Sequence, residues 1–247
     1  MLFLLLPLIA LLVKADWPNL PAAISSEQSV QALLLSLRSG LAATALCLVL
    51  GVPLALVLAR FHGRAMVLLR ALVTLPLVLP PMVGGIALLY LLGRNGLIGS
   101  YTHTIFGQLP FTTTAVVIAE AFVSLPFLVL ALEGTLATKG TGHEVVGATL
   151  GAGRWTVFRR VTLPLIGPGA ASATVLCFAR ALGEFGATAL FAGNRAGVTQ
   201  TMPLAIYEAF NGAGTDQNSA VALSLLLVVV AAAILVLIRP WRSPVPE

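Results

Sequence analysis

From Ser39 to Ala59 the chain runs for 21 residues without one charged side chain. A helix rises 1.5 Å per residue, so this run reaches ~30 Å, the thickness of a bilayer's hydrocarbon core. A water-facing helix of that length needs a polar stripe, and none is present. Four more runs of this kind follow. Ala71 to Leu92 is uncharged and contains Pro76, Pro80 and Pro81; Thr112 to Leu132 holds Glu120 alone. Leu163 to Ala192 holds Arg180 and Glu184, and Ser219 to Ile238 is uncharged. Charged residues make up 9% of the chain and mean hydropathy is +1.00, against about 25% charge in a soluble domain. The sequence therefore predicts an all-α integral membrane protein with a single transmembrane domain over 1–247.

The first residues, MLFLLLPLIALLV, are apolar but short for a span. No basic residue precedes them and Lys14 follows, which favours a first transmembrane helix; a cleaved signal peptide and a misassigned start codon are the other readings. Six helices are expected, over about 1–20, 36–60, 67–92, 112–135, 163–192 and 218–238. Six spans put both termini on one side. That side carries nine basic residues: Arg60, Arg64, Arg70, Lys139, Arg154, Arg159, Arg160, Arg239 and Arg242. The other carries Lys14, Arg38, Arg94 and Arg195. The positive-inside rule makes the basic side cytoplasmic, so both termini are expected there. The net charge of +5 is then a topology signal and a contact for lipid headgroups, and calls for no nucleic acid.

Cys47 and Cys177 each lie within an apolar run and read as small buried hydrophobes, not as a disulfide. No metal-ligand spacing is present. His143-Glu144 begins like a zinc-protease signature, but Gly147 stands where the second His belongs, and His62 and His103 are isolated. There is no GxxxxGK[ST] loop to cradle ATP phosphates and no GxSxG elbow. No catalytic residue is assigned.

The cytoplasmic loop at about 137–162 has its own pattern. Val145, Val146 and Leu150 fit one helix face, and Gly151 and Gly153 break that helix. Trp155, Phe158 and Val161 fit a second apolar face, with Arg154, Arg159 and Arg160 on or near its other side. Leu163-Pro164 is expected to end this stretch and start the fifth span. Read alone, the pattern also fits an interfacial helix that only anchors to lipid. The spacing is more specific. Gly151, nine residues, then Val161-Thr162-Leu163-Pro164 resembles the cytoplasmic signature of ABC-importer permeases. The acidic position of that signature falls on Val145, and Glu144 lies one place earlier. The resemblance implies a coupling loop that docks on a cytoplasmic ATPase, with Glu144, Val145, Gly151, Trp155, Val161, Leu163 and Pro164 as its candidate residues.

Charges inside a bilayer cost about 2.5–3.5 kcal/mol each on insertion scales. Arg180 and Glu184 are four apart, so on a continuous helix they share a face and neutralise one another. The pair is either structural or part of the wall of a polar pathway. Glu120, Arg180, Glu184 and Thr188 are the pathway candidates, with Glu120 a second possible partner for Arg180. Gly183, Gly186, Ala187 and Ala189 thin this helix for close packing, and Gly193-Asn194 reads as its stop.

RALGEFGATALFAGN (180–194), then TQTMPLAIYEAF, and LPLVLPPMVGGIALLYLLGRNGLIG (75–99) resemble the membrane subunits of molybdate importers. Sulfate-importer permeases carry a related stretch, usually with Tyr in place of Phe185. The resemblance covers about 33–238. It implies a type I ABC-importer permease fold in a bacterial inner membrane and a homodimer. It also implies two cytoplasmic ATPase subunits that bind the ATP, an external oxyanion-binding protein, and no cofactor in this chain. A sulfate or tungstate importer is the alternative within the class, and an ion-driven secondary transporter the alternative outside it.

Overall fold

A computed structural model describes residues 2–101, 107–212 and 217–238. His103, Arg239 and Arg242 lie outside these. Among the described residues there is no strand.

The chain opens with α1 (Leu2–Lys14) and α2 (Leu20–Ser25). The 13 residues of α1 reach only ~20 Å, so the first expected span is shorter than a bilayer core. The long helix α3 (Glu27–Arg60) begins ahead of its expected start. Ser26 caps it by accepting from the Ser29 N–H at 3.3 Å, and Glu27 and Arg60 sit at the ends that the helix dipole favours.

The segment expected as one helix over 67–92 is two: α4 (Arg64–Val78) and α5 (Pro81–Leu92), bent by 114°. Pro80 and Pro81 are the cause. Neither offers an N–H, and each pushes the residue before it into an extended conformation, as at Leu79 and Pro80.

The central helix is α6 (Thr113–Lys139), capped by Thr112, whose Oγ1 accepts from the Ala115 N–H at 3.2 Å. Then come α7 (Gly142–Thr149), α8 (Arg154–Val157), a π-helical turn (Phe158–Thr162) and α9 (Leu163–Leu182). The stretch Arg154–Leu182 is thus continuous, and Leu163-Pro164 does not break it. Pro164 has no N–H for the usual bond and its ring crowds the preceding turn; the wide π turn, closed by the Leu163 N–H on the Phe158 carbonyl, absorbs this. After Leu182 the chain breaks at Gly183–Phe185 and resumes as α10 (Gly186–Phe191). The helices α11 (Met202–Asn211) and α12 (Gln217–Ile238) complete the fold.

Among the described residues, four helical stretches are long and apolar enough to cross a membrane, five when the bent α4–α5 pair counts as one. Their packing rests on small residues, as expected where lipid supplies no hydrophobic push between helices. Along α3 a buried stripe of Ser39, Gly40, Ala43, Thr44, Cys47, Gly51 and Ala55 faces α6 and α9. A Cβ on Gly51 would stand 2.9 Å from Leu128. The contact between α5 and α10 is tighter still: a Cβ on Gly85 would lie 2.7 Å from the Ala187 carbonyl oxygen, and one on Gly186 would lie 2.9 Å from Pro81. Here the glycines of GEFGA and PPMVGG let two backbones touch. The free thiols of Cys47 and Cys177 are both buried in the α3–α6–α9 core.

Candidate functional site

The break after α9 sets the interior charges. Arg180 lies in the last turn of α9, and Glu184 lies beyond its end. The Arg180 guanidinium donates to Glu184 Oε2 at 2.7 Å, and Glu184 Oε1 accepts from the Ala187 N–H at 2.8 Å. The expected pair is present, but across a helix break and not along a shared face. Arg180 meets the negative end of α9, and Glu184 satisfies one of the orphan N–H groups that open α10. The Arg180 guanidinium also sits 5.9 Å from the centre of the Phe127 ring. Its side chain is 24% exposed, whereas that of Glu184 is 1% exposed.

Glu120 does not pair with Arg180. Its Oε1 accepts from Ser39 Oγ at 2.9 Å, and its Oε2 is buried without a hydrogen-bond partner. Thr188 is fully buried in α10, its hydroxyl also unpartnered. Of the four pathway candidates, Arg180 alone reaches open space.

Ser39, a hydroxyl inside an uncharged run, carries no signal in the sequence. Nor does the sequence single out Thr199, Gln200 and Thr201, which are buried where the turn after Arg195 leads into α11. Gln28 donates to Gln200 at 3.0 Å, and Ser36 Oγ accepts from the Met202 N–H at 2.7 Å, so this stretch is tied to α3. The one available cue was the polar TQT triplet between a glycine-containing loop and an apolar helix.

At the opposite end of α3 the coupling candidates separate into two groups. Val145, Leu150 and Trp155 present apolar surface, at 58%, 82% and 70% exposure, and Val146, Leu163 and Pro164 are exposed too. Gly151, at φ 82°, makes the turn between α7 and α8. Val161 is half-buried. Glu144 turns the other way: its Oε1 accepts from Arg60 Nη2 at 2.5 Å and from Thr162 Oγ1 at 2.6 Å. Nearby, Arg70 of α4 pairs with Glu133 of α6. Among the described residues no cluster of three or more His, Cys, Asp or Glu could hold a metal ion.

An all-helical membrane body, a proline-broken span and an apolar cytoplasmic-type loop feeding straight into a membrane helix define a transport permease. Residues 51–241 match the family "Binding-protein-dependent transport system inner membrane component", and the chain belongs to it. It is a non-catalytic membrane subunit with the ABC-importer permease fold. Over 243 residues it is 56% identical to the molybdenum transport system permease protein ModB of Mycobacterium tuberculosis, covering 98% of this chain and 90% of that one. The ModB of Escherichia coli K12 is 41% identical over 224 residues, 89% of this chain and 96% of the relative. A solved bacterial ABC transporter involved in import of the acidic polysaccharide alginate superposes with a TM-score of 0.70 at 18% identity, covering 99% of this chain and 91% of that one.

Proposed function

We propose that this chain is the membrane-spanning permease subunit of an ATP-driven molybdate importer. Two copies form the pathway, and each docks through α7 and α8 on a cytoplasmic ATPase subunit. The ATPase binds the ATP, and this chain carries no cofactor. An external oxyanion-binding protein delivers the cargo, and both termini of the permease face the cytoplasm. The observation that carries this reading is the likeness to a molybdenum permease along nearly the whole chain.

The interior chemistry is compatible with passage of a dianion. An anion must be drawn in without being trapped, so a dense ring of fixed cations would defeat conduction. Arg180 offers one guanidinium, part exposed and already balanced by Glu184. The exposed apolar residues of α7 and α8 suit a protein groove, where burying Leu150 and Trp155 is favourable.

The test is uptake into vesicles holding the permease, its ATPase and its binding protein. Molybdate should accumulate only with ATP, and excess sulfate should not compete. Uptake that needs no ATP would point to an ion-driven transporter; preferential sulfate or tungstate uptake would reassign the cargo.

A further inference from the structure

Glu144 is the joint between the cytoplasmic helix α7 and the membrane helices. It lies in the first turn of α7, Arg60 is the last residue of α3, and Thr162 closes the π turn that opens into α9. One oxygen, Oε1, takes both bonds, at 2.5 and 2.6 Å. The charges also suit their helices, a cation at the C-terminus of α3 and an acid at the N-terminus of α7. Val145 is turned ~100° from Glu144 around the helix and faces outward. The acid of this loop therefore points away from the apolar surface offered to a partner.

Two glycines join α7 to its neighbours along the chain. Gly140 (φ 63°) and Gly151 (φ 82°) flank it in left-handed conformations. Its packing, through Gly147 on Val157, is against the Arg154–Thr162 segment. The pair with Arg60 is what ties it to α3. Arg60 stands ~32 Å along that helix from Ser39, and α9 carries Arg180.

We infer that Glu144 is a positioning residue: through Arg60 and Thr162 it makes α7, α3 and α9 move as one body, so that displacement of α7 reaches the helices bearing Ser39 and Arg180. This rests on the importer reading. The experiment uses the whole complex in vesicles and measures cargo moved per ATP hydrolysed, together with ATPase retained on the permease. Glu144→Ala should keep the ATPase bound and hydrolysing, while cargo per ATP falls about tenfold. Arg60→Glu alone should do the same, and Arg60→Glu with Glu144→Arg should restore most of the ratio. An unchanged ratio in Glu144→Ala overturns the inference. So does loss of the ATPase, which would make Glu144 a docking contact, and so does a charge exchange that restores nothing. Should Glu144→Ala fail to assemble, Thr162→Val removes a single hydrogen bond and must still lower the ratio; no change there is equally fatal. A wild-type chain that retains no ATPase sinks the importer reading itself, and the inference with it.

Discussion

Arg180 and Glu184 show how much a pair of residues can say before a structure is known. Their spacing named the right partners, because opposite charges in lipid cannot be left apart. It misplaced the geometry, because a helix was assumed to continue through Gly183. The break gives Glu184 a second task, accepting from the Ala187 N–H, and leaves Arg180 as the part-exposed member. Arg180→Gln should therefore spare assembly, since Glu184 keeps its backbone bond, while lowering ATP-driven uptake about tenfold, the scale of one charge-assisted contact. Uptake equal to wild type, with normal amounts of chain in the membrane, would reduce Arg180 to a structural role. The bond between Ser39 and Glu120 was illegible for a different reason. It depends on the register of α3 against α6, 81 residues apart, which no local pattern encodes.

The helices divide by what fixes them. For α3, α6 and α12 a long apolar run suffices, interrupted only by Glu120 in α6, so their existence is legible, although α3 starts earlier than its apolar core. Two departures came from proline. Pro80 and Pro81 split a span, whereas Pro164, expected to stop a helix, is absorbed by a π turn. The α5–α10 contact carries a prediction of its own. Gly85→Val would press a branched side chain into the Ala187 backbone, which has no rotamer to move aside. Overpacking of this kind costs about 1–3 kcal/mol or more, and should appear as a lower unfolding temperature in detergent. A conservative change at Gly134, where an added Cβ meets nothing within 4 Å, should leave that temperature nearly unmoved.

For the molecule as a whole, the class was legible from hydropathy, and the family from Gly151 and the Val161–Pro164 signature. The way the loop sorts its residues was not, because Glu144 and Val145 differ by one position in sequence but by ~100° around a helix. If the outward face is the docking face, Leu150→Asp or Trp155→Ala should release the ATPase at a cost of about 2 kcal/mol or more, as at other aromatic anchors. Copurification of ATPase with each variant is the measurement, and undiminished recovery with both would place docking elsewhere. The length of α3 has a further consequence. Arg38 and Arg60 bracket an uncharged stretch of ~30 Å, so the two cations are pinned near the two faces of a bilayer of ordinary thickness. A thinner membrane tilts such a rod and a thicker one stretches its anchorage. Because Arg60 is also the hand that holds Glu144, lipid chain length becomes an input to the same joint that ATP is proposed to drive.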